Sequence, residues 1–369
     1  ATGTNFTAAE LYGGNKSDAA DNTLNVTGKD AAAKKAQNFE NYTFHLTDHI
    51  AVDKPSSGTI DDTFTQNTGT MLTLANGFDG QEADWSKVTI DTSRLSADKT
   101  LGAITLMKST AANKLKFSNY AAKNHAVSGD YEVVQRTDTN TGEASSVLID
   151  VNRFRNGAVV YDGVNPNAKT YAGVSYGGNT AERNAMTLTS IAAGNTVKWL
   201  SGGRSEGLSG GAASNTVNIV GTGAGTLEEV YGGYIGKATN AADATGNTVN
   251  IAGGTVQTVY GGYTDAAGGK ATGNSVTVEK NLAAHVVGGA AKGEASGNIV
   301  TIRANAGDVT GGASTGMASG NMVSLANASV SSVTGGAGVT THNNTVSLEG
   351  GAIVSGAVTG GTAADGTGN

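Results

Sequence analysis

The sequence predicts an all-β protein that folds as a right-handed parallel β-helix, a β-solenoid with coils of about two dozen residues. Three observations support this prediction: two short phrases alternate along the C-terminal half, apolar residues recur two positions apart, and glycine is abundant while proline is rare. The chain has 369 residues, of which 55 are glycine, 2 are proline and 15% are charged. Such a composition favours tight, closely packed coils over a helical domain.

The first phrase is an asparagine followed by apolar residues two and four positions later. Its regular copies begin at Asn215, Asn247, Asn274, Asn298, Asn321 and Asn344, and less regular copies begin at Asn184 and Asn195. Apolar residues at i and i+2 follow the alternation of a strand and not the i, i+3, i+4 spacing of a helix. Helical repeats such as ankyrin arrays are therefore excluded.

The second phrase is an apolar residue two positions before a Gly-Gly pair. Its apolar residues are Val230, Val259, Val286, Val309, Val333 and Val358, and the irregular copy that begins at Asn195 ends with Leu208 before Gly210-Gly211. The two phrases alternate, and the distance between successive asparagines contracts from 32 to 23 residues along the chain. Short strands of this kind bury a face by stacking on the same strand of the next coil, so inward Val and Ile side chains should form ladders.

The residues around the asparagines indicate how each coil turns. Gly246, Gly273, Gly297 and Gly320 directly precede an asparagine, so we expect a corner with positive φ there. Stacked asparagines can bond one another and the backbone, so we interpret the six regular ones as a structural ladder, with a ligand role as the alternative. The Gly-Gly pairs should lie where neighbouring chain approaches closely.

The repeat defines three regions. We call one copy of the two phrases together a cassette. Residues 1–28 hold a single cassette, residues 29–165 interrupt the series of cassettes, and residues 166–369 carry the regular solenoid. Strand-like alternation recurs in the interruption, for example at Tyr42, Phe44 and Leu46. We predict longer coils of the same solenoid there, because no linker composition is present, with an inserted β-domain as the alternative.

Composition also limits the function. The chain has no cysteine, which excludes disulfides, thiolate metal sites and cysteine nucleophiles. A net charge of −7 gives no reason to expect nucleic acid or an anionic membrane as partner. No apolar run is long enough to insert into a membrane.

Few residues are arranged for catalysis. Gly-x-Ser-x-Gly strings surround Ser175, Ser209 and Ser314, but such matches are near chance in a chain rich in glycine and serine. His45 and His49 are the one pair at metal-ligand spacing, and they lie on a predicted strand leading to a turn. We therefore expect no enzyme activity, no cofactor and no metal.

Carboxylates in the repeats occur singly, mostly between the phrases. They are Asp243, Asp265, Glu279, Glu294, Asp308 and Glu349. Polysaccharide lyases and hydrolases built on β-helices need paired acid and base groups on adjacent coils. A carbohydrate-active enzyme is therefore only the third hypothesis for this chain.

Tyrosines are the candidate recognition residues. Tyr231 and Tyr260 precede Gly-Gly pairs, and Tyr234 and Tyr263 follow them. Tyr231 and Tyr260 should point outward, because alternation turns the valines before them inward. An exposed aromatic pair could bind a sugar face or a protein, and the alternative is an aromatic ladder that stabilises the wall.

Several strings resemble the repetitive passenger regions of Gram-negative autotransporter adhesins. They are the VYGGY string at Val230–Tyr234, the Asn247–Ile251 phrase, the FENYTFHL string at Phe39–Leu46 and the GTMLTLANG string at Gly69–Gly77. The stretch Leu101–Val151 is also similar to the strands that close an autotransporter rod. This resemblance implies export through a signal peptide and a C-terminal membrane barrel, neither of which we expect within these 369 residues.

The resemblance also implies that the chain is a fragment of a longer rod, since Thr367-Gly368-Asn369 opens another asparagine phrase. Our first hypothesis is therefore a rod at the cell surface of a Gram-negative bacterium that attaches to a host or bacterial surface protein or glycan. The second is a self-associating extracellular filament or surface-layer subunit.

Overall fold

A computed structural model describes residues 5–15, 21–48, 70–97, 103–110, 114–120, 125–135, 143–161, 171–280 and 283–363. Most of the strands that these residues form stack in parallel as a β-solenoid with coils of about 27 residues, so the fold prediction is confirmed. The described residues up to Arg153 form one compact unit, unit 1, and those from Phe154 onward form another, unit 2. The region boundaries at 28/29 and 165/166 stay predictions.

Unit 1 contains strands β1 to β13 among its described residues. They are β1 Asn5–Tyr12, β2 Thr23–Thr27, β3 Ala31–Gln37, β4 Asn41–Thr47, β5 Thr70–Leu74, β6 Ala83–Asp84, β7 Val88–Arg94, β8 Ala103–Ser109, β9 Leu115–Ser118, β10 His125–Ser128, β11 Tyr131–Gln135, β12 Glu143–Ala144 and β13 Ser146–Arg153. A three-residue 3-10 helix, Trp85–Lys87, separates β6 from β7 and begins where the Asp84 carboxylate accepts the Ser86 N–H.

Strand pairing in unit 1 changes from parallel to antiparallel. β1, β3, β5 and β8 pair in parallel, as do β2, β4 and β7. β13 then pairs antiparallel with β8, β11 with β13, and β10 with β11. In β4 the predicted alternation is found, with Tyr42, Phe44 and Leu46 buried and the residues between them half-buried.

Unit 2 contains strands β14 to β37. They are β14 Ala158–Tyr161, β15 Tyr171–Ser175, β16 Ala181–Glu182, β17 Ala185–Leu188, β18 Thr196–Ser205, β19 Ala212–Ala213, β20 Thr216–Ile219, β21 Thr226–Ile235, β22 Ala244–Thr245, β23 Thr248–Ile251, β24 Val256–Thr264, β25 Lys270–Thr272, β26 Ser275–Val278, β27 Ala283–Ala291, β28 Glu294–Ser296, β29 Ile299–Ile302, β30 Ala306–Ser314, β31 Met317–Ser319, β32 Met322–Ala326, β33 Ser329–Gly338, β34 Thr340–His342, β35 Thr345–Glu349, β36 Ile353–Val354 and β37 Val358–Ala363.

Each coil of unit 2 gives one strand to each of three parallel sheets. Strands that follow the asparagines form the first sheet, from β14 to β35, and long strands that contain the Gly-Gly pairs form the second, from β15 to β36 with β37 on β33. Two- or three-residue strands just before the asparagines form the third, from β16 to β34. We call the second the Gly-Gly sheet.

Apolar residues of both phrases fill the interior of unit 2. Val249 with Ile251, and Val276 with Val278, are at most 1% exposed, and the valines two before the Gly-Gly pairs are equally buried up to Val333. In the last described coil, by contrast, Leu348 is 49% exposed and Val358 is 48% exposed. Stacking between coils, and not the strand itself, therefore buries these side chains.

The asparagines form one buried column. Each side-chain Nδ2 donates to the Oδ1 of the next asparagine at 2.9 Å, along the series Asn184, Asn215, Asn247, Asn274, Asn298, Asn321 and Asn344. Each Nδ2 also donates to a backbone carbonyl at 2.9–3.0 Å. Each Oδ1 from Asn215 to Asn344 also accepts the backbone N–H of the preceding asparagine at 3.0–3.1 Å. An interior asparagine thus uses both donors and both acceptor sites of its amide.

The Gly-Gly pairs make room for this column. A Cβ on Gly262 would lie 2.6 Å from the Asn274 amide atoms, and a Cβ on Gly261 would lie 2.2 Å from the Gly288 carbonyl oxygen. The other pairs have equivalent close contacts. Glycine before the column also has the expected positive φ, +63° at Gly273, while Arg183, Ser214 and Asn343 adopt 54–55° at the same corner.

One irregular copy of the cassette is assigned differently by the structure. Asn195 lies outside the asparagine column, because Asn184 bonds directly to Asn215. Leu200, which is fully buried, aligns with Val230 and precedes the Gly202-Gly203 pair. The sequence interpretation that began this copy at Asn195 and ended it at Leu208 is therefore wrong, and Leu208 is 72% exposed. The last phrase, at Asn369, lies outside the described residues.

We expect Asn274→Ala to lower the free energy of unfolding by about 3 to 5 kcal/mol, because it leaves the buried Asn247 N–H and one Nδ2–H without an acceptor. Asn250→Ala is the matched control, since Asn250 is half-buried and, among the described residues, its amide bonds only to Asn218. That change should cost less than about 1 kcal/mol. Urea unfolding measures both, and equal losses would contradict the role of the column.

We expect Gly262→Ala to destabilise by about 2 kcal/mol or more, because its Cβ overlaps the Asn274 amide. Combining it with Asn274→Ala removes the clash, so the double variant should lose at least about 1 kcal/mol less than the sum of the single variants. Gly350→Ala serves as control, since a Cβ there meets nothing within 4 Å. Additive losses in urea unfolding would show that the two positions are not coupled.

Candidate functional site

Four tyrosines form two stacked columns on the Gly-Gly sheet. Strand register places Tyr231 opposite Tyr260 and Tyr234 opposite Tyr263. The rings of the first pair lie 5.1 Å apart and 7° from parallel, and those of the second lie 5.5 Å apart and 8° from parallel. Adjacent parallel strands are about 4.8 Å apart, so in-register aromatic residues stack face to face.

The two columns also contact each other. Tyr231 and Tyr234 meet edge to face with ring centroids 4.8 Å apart, and Tyr260 and Tyr263 do so at 5.3 Å. Residues three positions apart lie on opposite faces of a regular strand. The Gly-Gly pair between them therefore turns the chain enough to bring both rings to the same side, which alternation alone does not predict.

Tyr231 is covered by this packing. It lies beside Val230, which belongs to the interior, yet its own ring contacts Tyr234, Tyr260 and Tyr263. Tyr231 is only 7% exposed, so the expectation of an exposed Tyr231–Tyr260 pair is wrong for this residue. Its hydroxyl donates to the Glu229 carboxylate at 2.8 Å. The other three tyrosines are half-buried and present parts of their rings to solvent.

Trp199 and Arg204 extend the aromatic cluster onto the preceding coil. Arg204 aligns with Tyr234, and its guanidinium carbon lies 4.3 Å from the Trp199 ring centroid and 5.4 Å from that of Tyr234. Arg204 also pairs with Glu206. We name Trp199, Arg204, Tyr231, Tyr234, Tyr260 and Tyr263 the aromatic wall. Trp199 and Arg204 were not among the candidate recognition residues predicted from the sequence. The Gly202-Gly203 pair between them is the signal that could have identified them, because it aligns with the Gly-Gly pair of the next coil.

Burial sets the protonation of the wall. Loss of solvent raises the pKa of all four tyrosines, and the Glu229 carboxylate raises that of Tyr231 further. The Arg204 charge opposes this rise at Tyr234. The phenols therefore stay neutral near pH 7 and can donate hydrogen bonds. Their neutral rings also remain available for stacking.

An open groove of about 660 Å³ begins at Tyr263. The positions that continue the Tyr263 register on later coils are Ala290, Ala313 and Ala337, and all three line the groove. Alanine methyl groups thus take the place of the tyrosine ring on these coils and form the floor of the groove beside Tyr263. Asp265 and Lys292 line it too and form an ion pair at 2.8 Å.

The single carboxylates of the repeats lie beside basic side chains of neighbouring coils. These cross-coil pairs are Asp265–Lys292 at 2.8 Å, Glu294–Lys270 at 3.0 Å, Asp308–His285 at 3.5 Å and Glu279–Arg303. Glu349 contacts Ser324, and Asp243 accepts the Lys270 N–H. The sequence predicted neither set of contacts, because turns of different length separate the phrases and decide which residues of neighbouring coils lie opposite one another.

The serine motifs lie in strand or turn contexts that are not followed by a helix in the described residues. Ser175 is fully buried in β15, and Ser314 in β30 donates to the Gly293 carbonyl. Ser209 is exposed. His45 bonds to Asp91 at 2.6 Å and to Asn25 at 3.2 Å, while His49 lies outside the described residues. In the described part of the chain, no group of three or more His, Asp or Glu side chains is placed to hold a metal ion.

No family model, no curated protein and no solved structure matches this chain. Among the described residues, no helix has the length and apolar character required to cross a membrane.

We expect the stability of the chain to fall as pH rises above about 10, because the wall tyrosines keep their protons in the folded state and lose them first when unfolded. A group whose pKa is higher in the folded state contributes its full stabilisation of the fold below its unfolded pKa. This contribution is lost as pH rises through the folded pKa. Urea unfolding at pH 8 and pH 11 measures the fall. Tyr260→Phe with Tyr263→Phe should reduce the fall, and a fall of the same size in this double variant would contradict the contribution of the wall.

Proposed function

We propose that this chain is part of an adhesive rod on the surface of a Gram-negative cell, and that the aromatic wall binds a glycan or protein of another surface. The observation that carries the proposal is the aromatic wall itself, a stacked cluster outside the core of a rigid repeat. Half-buried tyrosine and tryptophan rings offer flat apolar faces together with polar edges. Such residues are typical of recognition surfaces.

The stacking of coils supports the mechanical part of the proposal. The backbone hydrogen bonds of the three sheets join neighbouring coils, and so do the side-chain hydrogen bonds of the asparagine column. Many hydrogen bonds therefore hold each pair of successive coils together. A repeat of this kind contacts only its neighbours and can extend in one direction. It therefore suits a shaft that carries a binding surface away from a cell.

The groove supports the binding part. Its alanine floor continues from the ring of Tyr263, and Asp265 and Lys292 offer charged groups beside it. A sugar ring can stack its apolar face on an aromatic side chain while its hydroxyls bond to neighbouring polar groups. A neutral or zwitterionic glycan would thus fit this surface, and so would an extended polypeptide.

A glycan and surface-protein binding array of the full chain tests this proposal. We expect Tyr260→Ala with Tyr263→Ala to weaken the detected binding at least about tenfold, because both rings leave the wall while Val259 stays in the core. Tyr12→Ala, at an exposed tyrosine of unit 1, is the control. Binding that persists unchanged in the double variant, or no binding by the wild type, would contradict the proposal. Urea unfolding of each variant separates lost binding from lost folding.

A further inference from the structure

A second cavity is formed by residues of unit 1, whereas the aromatic wall belongs to unit 2. It has a volume of about 330 Å³ and is formed by the turn between β3 and β4 and by residues 78–87. Phe39, Tyr42 and Phe78 line it, and the Tyr42 ring contacts both phenylalanines at centroid distances of 6.1 and 5.7 Å. Aromatic rings therefore form a continuous part of its lining.

Tyr42 is the unusual residue of this cavity. It is only 2% exposed, and its hydroxyl makes no hydrogen bond to any residue that the structure describes, but this hydroxyl is not among the fully enclosed polar atoms that lack a partner. Burial raises the pKa of this phenol, so the hydroxyl stays protonated at neutral pH. The hydroxyl therefore faces the cavity, where its oxygen can accept a hydrogen bond from a ligand and its proton can be donated to a carboxylate or to water.

Carboxylates dominate the charged residues of the cavity. Glu40, Glu82 and Asp84 line it, and Lys87 is the basic residue among the described lining residues. Hydrogen bonds from Asn119 and Ser86 lower the pKa of Asp84, so this group stays ionised. Glu40 accepts the Asn22 N–H through one oxygen at 2.8 Å. Negative charge therefore exceeds positive charge around the aromatic lining.

The wall of the cavity is held in place without a ligand. Asn38 and Gln81 bond reciprocally, with the Asn38 N–H donating to Gln81 Oε1 at 3.0 Å and Gln81 Nε2 donating to Asn38 Oδ1 at 2.9 Å. Asn119 donates to Asp84 at 2.9 Å. These bonds fix both sides of the opening, so a ligand would enter a cavity that already has its shape.

We propose that this cavity binds an alkylammonium group, carried either by a lysine side chain or by a free diamine. An ammonium is attracted to aromatic faces and to carboxylates, and it can donate a hydrogen bond to the Tyr42 hydroxyl oxygen. The excess of negative charge selects a cation over a neutral ligand of the same size. This site is separate from the aromatic wall and does not depend on the adhesive function.

Calorimetric titration of the full chain tests the proposal with two probes, Nα-acetyl-lysinamide for a lysine side chain and cadaverine for a free diamine. We expect a dissociation constant on the order of 1 mM for a ligand of this size. Binding of the lysine probe assigns the site to a presented side chain, and binding of cadaverine alone assigns it to a free diamine. Binding of neither probe overturns the proposal.

Variants and a neutral analogue test the chemistry of the site. Tyr42→Phe keeps the ring and should weaken binding about tenfold, and Glu82→Gln should weaken it about threefold. Tyr12→Phe, at an exposed tyrosine outside the cavity lining, and Glu349→Gln, in unit 2, are matched controls that should leave it unchanged. Nα,Nε-diacetyl-lysinamide lacks the charge and should not bind, so equal binding of this analogue or of methyl glucoside overturns the proposal. Urea unfolding shows whether Tyr42→Phe is folded, and Glu82→Gln, at an exposed residue, tests the site independently.

Discussion

The contact between the buried asparagine column and the Gly-Gly pairs is the constraint on which unit 2 depends. Each interior asparagine uses two donors and two acceptor sites, and its partners lie on neighbouring coils. The column is continuous only when every coil stacks in the same register, and the amides fit only where the facing residue has no Cβ. One polar residue and one glycine pair per coil thus specify both register and spacing.

This constraint leaves the outer positions free to vary. Along the register that contains Tyr263, the residue is Arg204, Tyr234, Tyr263, Ala290, Ala313 and Ala337 on successive coils, while the glycines beside it do not change. The backbone therefore stays constant as the surface passes from cation to ring to methyl group. A wall and a groove arise next to each other from side-chain size alone.

Unit 1 is organised by aromatic packing instead. Rings of Phe78, Phe117, Trp85 and Tyr120 contact one another at 5.2–5.8 Å, and the strands after β8 pair antiparallel. Phe44, Phe78 and Phe117 belong to the core of unit 1, whereas the core of unit 2 consists mainly of aliphatic side chains. A cavity remains at Tyr42, where tyrosine, phenylalanine and carboxylate side chains meet without closing over one another.

The sequence by itself determined the repeat: residues two apart face the same side, and a cassette that recurs can bury them only by stacking on its neighbours. Val249, Ile251 and the six regular asparagines are therefore located correctly from spacing alone. Only the tertiary structure decided which residues of adjacent coils lie opposite one another, because turns of different length separate the phrases. For this reason the place of Leu200, the burial of Tyr231, the cross-coil ion pairs and the cavity at Tyr42 became visible only when the coils were stacked.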